Sequence, residues 1–171
     1  VWEKAVARAG EEEAELATVI ADEGKNHEVM PWDWRHYAEK LRAKRFNFSE
    51  TELKPYLQLE KIIEACFDVA TRLFGIHAVE LKDVKAYHPD VRTFEIRDAN
   101  GALKAMFLGD YFARPSKRSG AWMSSFQSQH KLPLKNGTVG ELPIIYNVCN
   151  FAKPSAGKPA LLSLDDARTL F

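Results

Sequence analysis

Up to Gly75 the apolar positions recur at helical spacing, and beyond it they fall into short alternating runs. Trp2, Ala5, Val6, Ala9, Leu16, Val19 and Ile20 share one face of a first helix, with Glu11, Glu12 and Glu13 on its solvated side and Gly24 as a natural stop. Residues 31–46 predict a second helix: Asp33 is a candidate cap, Trp34, Tyr37, Ala38 and Leu41 lie on one side, and Lys40, Arg42, Lys44 and Arg45 come late, where cations suit the negative end of the helix dipole. Ser49 with Glu52 has the spacing of a capping box ahead of Pro55. After it Leu59, Ile62, Ile63, Cys66, Val69, Ala70 and Leu73 form a stripe of period 3.6 that ends at Gly75.

Residues 91–97 and 103–112 are β-type runs flanking Asp98-Ala99-Asn100-Gly101, and Asn-Gly between such runs predicts a hairpin. Residues 121–126 and 144–151 are further strand candidates. Residues 114–120 read as a basic loop and 131–140 as a long loop. From Ser163, with Asp166 three residues on, Leu164, Ala167, Leu170 and Phe171 recur at helical spacing. That helix is about nine residues long, short of the roughly 12 to 15 that an isolated helix needs, so it reads as the first part of a longer one. The expected fold is α+β: N-terminal helices followed by a small, largely antiparallel sheet. Its divisions are a helical part over 1–75, a β-rich part over 76–162 and a helix start over 163–171.

Composition narrows the function classes. The chain is 46% hydrophobic and 28% charged, which is the balance of a globular domain. Its 24 Lys and Arg match its 24 Asp and Glu, so no net field draws nucleic acid or an anionic membrane. No apolar run approaches the ~20 residues of a membrane span, and the acidic N-terminal stretch lacks signal-peptide architecture. A cytoplasmic location is expected. Because Val1 is not an initiator Met, an upstream export signal leaves a periplasmic location open.

Chemistry-bearing motifs are few. His27-Glu28-Val29-Met30-Pro31 begins like H-E-x-x-H, but Pro stands where the second imidazole must be and blocks a helix interior. His36, His77, His88 and His130 share no short spacing, so no metal-ligand set and no catalytic set is expected within the chain. Cys66 lies on an apolar stripe and reads as a buried hydrophobe. Cys149 reads either as a cleft thiol or as a packed one; a cysteine hydrolase pairing it with His88 or His130 is disfavoured because no spacing orients a base toward it.

The motifs PWDWRHYAEKLR (31–42), LKPYLQLEKII (53–63), YHPDVRTFEIRDANGALKAMFLGDYFARPSKRSGAWM (87–123), GAWMSSF and YNVCNFAKPSAGKPALLSLDDARTLF (146–171) occur in one order. Together they resemble the dipeptidyl carboxypeptidase branch of the thimet oligopeptidase family of zinc metallopeptidases, and the likeness covers nearly the whole chain. In that family such a stretch flows into the helix carrying H-E-x-x-H. The resemblance therefore implies a truncated part of a larger, mostly helical metallopeptidase, ending just before the first zinc ligand.

The implied parent uses zinc and releases C-terminal dipeptides from short peptides. This chain, lacking the zinc motif, is expected to be inactive and metal-free alone. In related enzymes a small sheet lies beside the zinc helix and substrate adds to an edge strand. By that analogy Trp122, Met123, Ser124, Asn147, Cys149 and Asn150 are the candidate cleft-wall residues, with Tyr146 and Val148 toward the core. Partners expected are short peptides, the missing C-terminal part of the same protein, and a second copy of the chain covering the face of Leu164, Ala167, Leu170 and Phe171. The alternative is a non-catalytic module that binds a peptide or a protein.

Overall fold

The computed structural model describes residues 1–47, 50–137 and 139–171, and among them two compact units, Val1–Glu52 and Leu53–Phe171. The expected capping box on Ser49 lies outside the described residues.

The first unit is built on two helices, α1 (Trp2–Asp22) and α2 (Trp34–Phe46). Leu16, Ile20 and Tyr37 are buried between them, with Val19, Val29, Trp34, Ala38 and Leu41 packed around. Gly24, at φ +74°, turns the chain after α1. The basic end of α2 does more than meet a dipole, since Lys44 pairs with Asp22 and Arg45 with Glu15 of α1. Asp33 holds the N-cap position but its own φ/ψ are helical, and its carboxylate accepts from the Met30 amide instead of capping. α2 accordingly begins at Trp34 and not at Pro31.

A short helix α3 (Glu50–Leu53) runs across the unit boundary, and in the second unit a 3-10 turn around Pro55 precedes α4 (Leu59–Phe74), which Gly75 closes in the left-handed region at φ +66°. Among the described residues seven strands follow, then α5: β1 (His77–Glu80), β2 (Arg92–Arg97), β3 (Leu103–Phe112), β4 (Trp122–Gln127), β5 (His130–Pro133), β6 (Val139–Glu141), β7 (Ile144–Phe151) and α5 (Leu164–Leu170). Five of the strands form one sheet in the order β1-β2-β3-β7-β4, antiparallel except for the β3/β7 pair. The expected hairpin is present: Phe94 faces Phe107 across it, and the Asp98 carboxylate accepts from the amides of Asn100 and Ala102 to hold the turn. The stretch read as a long loop contains instead a small hairpin, β5 paired with β6, whose few alternating residues are too short a pattern to read.

One face of the sheet is closed by helices. Phe67 of α4 packs on Phe94 and Phe107, with ring centroids at 5.0 and 6.1 Å, while Tyr111, Cys149 and Phe151 bury themselves with Leu59, Ile63, Leu162 and Ala167. Leu162 donates its amide to the Leu57 carbonyl and Leu59 to that of Ala160, which brings α5 onto this core. Ser163 and Asp166 make the expected reciprocal capping box. A seven-residue helix is too short to persist by propensity, so its stability is tertiary. Ala167 is buried and Leu170 packs on the core, whereas Leu164 and Phe171 stay exposed; the face expected to seek a second copy is thus partly covered by its own unit.

Candidate functional site

The other face of the sheet carries a polar knot. β3 presents Asp110 between apolar neighbours, and its carboxylate is 1% exposed. A carboxylate so placed needs partners, and it has three. Arg114 binds it bidentately, Nη1 to Oδ1 and Nη2 to Oδ2 at 2.7 Å each; Tyr87 donates to Oδ2 at 2.9 Å; and the Lys117 ammonium lies 3.1 Å from Oδ1. Burial alone would raise the Asp110 carboxyl, but the hydrogen bonds from Arg114, Lys117 and Tyr87 outweigh it and hold it below its ordinary range. Tyr87, partly desolvated and bonded to that carboxylate, is pushed up to about 12.

Above the knot lies a hollow of about 570 Å³ walled by Tyr87, Trp122, Phe126, Tyr146 and Val148. The rings are in contact, with Phe126 to Tyr146 at 4.5 Å and Phe126 to Tyr87 at 6.0 Å between centroids. The hollow's outer wall is β4. This strand pairs with β7 on one side only, so its other side is an open edge of the sheet. Trp122, Met123 and Phe126 on it are 37%, 67% and 62% exposed, an apolar display that an edge with no further role does not need.

The six cleft-wall candidates separate. Trp122, Met123 and Ser124 stand together on the exposed edge strand. Asn147, Cys149 and Asn150 are on β7, which is flanked by β3 and β4 and so has no free edge. Asn147 sits between Gly109 and Met123 in the ladder. Cys149 is 1% exposed, in the core under α4 and α5, so of its two readings the packed thiol is the one found. Asn150 is half-buried and spends both amide N–H groups on the carbonyls of Arg118 and Gly120, at 2.7 Å each. The facing of β7 is the reverse of the expected one: Tyr146 and Val148 line the hollow, and Cys149 packs beneath the helices. Alternation along a strand fixes which residues share a face but not which face meets the helices.

Asp110, Arg114, Lys117 and Tyr87 carry no motif that marks them in the sequence. A single Asp inside the apolar run of β3, followed by cations four and seven residues on, was the available signal. The scattered histidines stay apart. His130 lies 3.2 Å from Glu141 and His88 3.9 Å from Asp90, and among the described residues no three His, Cys, Asp or Glu side chains gather as a metal site requires.

Burial has a consequence for thiol chemistry. Desolvation pushes the Cys149 thiol up to about 11 and also raises half-buried Cys66, neither being in a disulfide. At neutral pH, native protein treated with iodoacetamide is expected to leave Cys149 unmodified while Cys66 reacts slowly, and denaturant should equalise them. Peptide mapping by mass spectrometry reads this directly, and rapid native labelling of Cys149 would show that the core around it opens.

Residues 2–171 match the model of peptidase family M3. The chain belongs to that peptidase family. As an M3 chain it is 47% identical over 165 residues to the dipeptidyl carboxypeptidase of Escherichia coli strain K12, covering 96% of this chain and 23% of that protein. It is 40% identical over 163 residues to oligopeptidase A of the same organism, covering 95% of this chain and 24% of that protein. To saccharolysin of Saccharomyces cerevisiae it is 26% identical over 157 residues, or 88% of this chain and 22% of the relative. The M3 chain thus spans about a quarter of the length of the curated relatives it matches.

Proposed function

We propose that the protein is a zinc-dependent oligopeptidase of the dipeptidyl carboxypeptidase kind, and that the unit Leu53–Phe171 forms a wall of its substrate cleft, with β4 as the strand along which an extended peptide lies. The observation that carries this reading is the open, apolar edge of β4 in a chain so similar to dipeptidyl carboxypeptidase. An edge strand offers a row of unpaired N–H and C=O groups that recognise a peptide backbone whatever its side chains, which suits an enzyme for varied short peptides. Trp122, Met123 and Ser124 are the residues of this chain assigned to substrate contact. Asn147, Cys149 and Asn150 support that strand from β7.

Bound zinc would supply Lewis-acid polarisation of the scissile carbonyl and an acidified water. Among the described residues no three His, Cys, Asp or Glu side chains are grouped to hold the metal. Among the described residues no helix is long and apolar enough to cross a membrane, and both cysteines are free.

The test is product analysis on the complete protein. With zinc, a decapeptide is expected to yield C-terminal dipeptides in succession by mass spectrometry, chelation should abolish turnover, and zinc should restore it. The 171-residue chain alone should leave the peptide intact. Internal cleavage without dipeptide release would move the reading toward the oligopeptidase A type, and turnover insensitive to chelation would end it.

A further inference from the structure

We infer that Lys117 and Asn150 are positioning residues for the edge strand β4, Lys117 acting through the backbone carbonyls at the end of the β3/β7 pair and Asn150 through those of the loop that leads into β4. The parallel ladder is regular from Met106 and Ile144 to Asp110 and Val148, and then slips, Phe112 pairing with Phe151. A slip of this kind leaves carbonyls that the neighbouring strand no longer serves. Lys117 takes them. Its ammonium, 4% exposed, lies 2.6 Å from the Phe112 carbonyl, 2.6 Å from that of Cys149 and 3.0 Å from that of Asp110, besides the Asp110 carboxylate. Three N–H groups shared among four oxygens leave the side chain no freedom.

The loop that leads from there into β4 is held at a second point. Both N–H groups of the Asn150 amide go to the Arg118 and Gly120 carbonyls, and Gly120, at φ +93°, then turns the chain into Trp122. Thus the backbone is fixed at Lys117 by a cation held on β3 and β7, and at Arg118 and Gly120 by an amide of β7. β4 begins at the next turn of chain. A surface loop ordinarily frays, and a strand that starts from a frayed loop begins at a variable place. Here its first residues are set in register, Trp122 opposite Val148 and Met123 opposite Asn147.

The consequence for substrate rests on the reading that a peptide aligns on β4. A preset edge lowers the ordering cost of binding, and main-chain contacts persist from ground state to transition state, so their loss acts on KM more than on kcat.

The experiment uses the complete zinc-loaded protein with Lys117→Met and, at a half-exposed position less exposed to misfolding, Asn150→Ala. Amide hydrogen exchange at Trp122, Met123 and Ser124 is compared with that of β2 and α4, alongside kcat and KM for an internally quenched oligopeptide. Loss of two neutral hydrogen bonds in Asn150→Ala is expected to speed exchange at the start of β4 about tenfold, with β2 and α4 unchanged. KM should rise about three- to tenfold while kcat stays within about twofold. Lys117→Met should shift both readouts further in the same direction. Faster exchange at β4 with an unchanged KM would uphold the positioning role and sink the edge-strand reading of substrate binding. Unchanged exchange at β4 in both variants, or a rise spread evenly over β2 and α4 in both, would overturn the positioning role itself.

Discussion

Asp110→Ala is expected to destabilise the unit Leu53–Phe171 by about 3 to 5 kcal/mol, the cost of removing one member of a buried, hydrogen-bonded ion cluster. The reason lies in what is left behind. Arg114 loses a bidentate partner, Lys117 loses the carboxylate beside its carbonyls, and Tyr87 loses its acceptor, all on a sheet face where the Lys117 side chain is 4% exposed. Chemical denaturation of the variant beside the parent measures the shift in midpoint. A loss below about 1 kcal/mol would mean that water reaches the two cations freely.

The same group sets a pH dependence whose sign follows from the direction of its shift. The folded carboxyl is held below its ordinary value of 3.8, so the folded state binds its proton less readily than the unfolded one. The stabilisation is therefore complete above about pH 4 to 5 and is lost as pH falls through the depressed folded value. Asp110→Asn removes that titration. Its unfolding free energy should be lower at neutral pH and should fall less steeply below pH 4 than the parent's; parallel curves would show that Asp110 is not the group responsible.

Gly109→Ala is expected to cost about 1 to 3 kcal/mol, toward the upper end, through overpacking alone. Successive side chains on a strand point to opposite faces, so Gly109 and Tyr111 share one, and the Tyr111 ring lies back over the glycine. An added Cβ would sit 2.5 Å from Cε2 and nearer still to Cζ and Oη. The ring has nowhere to go, since Tyr111 is 2% exposed in the core with Leu59, Ile63 and Cys149. The distinguishing measurement is a double-mutant cycle. In a Tyr111→Leu background, where the clash is gone, the added methyl should cost much less, and additive penalties would place the strain elsewhere.

How much of this was legible depended on the range of the interaction. α1, α2 and α4 were visible because their apolar stripes repeat within one helix, and the 98–101 hairpin and the Ser163 cap because their hydrogen bonds join residues a few positions apart. The membership of the family was legible for a different reason: several motifs occur in one order along nearly all of the chain. The helical texture ends at Gly75, yet the compact units divide at Glu52, because the stripe of α4 finds its cover on Phe94, Phe107 and Cys149 far along the chain.

Local pattern by itself therefore determined α1, α2 and α4, the start of α5 with its Ser163 cap, the 98–101 hairpin and the alternation along β2, β3, β4 and β7. Only the tertiary structure decided the order β1-β2-β3-β7-β4, which leaves β4 with an open edge and encloses β7. It also decided that Cys149 faces the helices while Tyr146 and Val148 face the hollow, since a period of two is satisfied equally by either choice. The knot on Asp110 belongs to this second class. The spacing of Asp110, Arg114 and Lys117 places the opposite charges near one another, but nothing along the chain says that Tyr87 joins them or that the Lys117 ammonium reaches the Cys149 carbonyl where the parallel strands β3 and β7 end side by side.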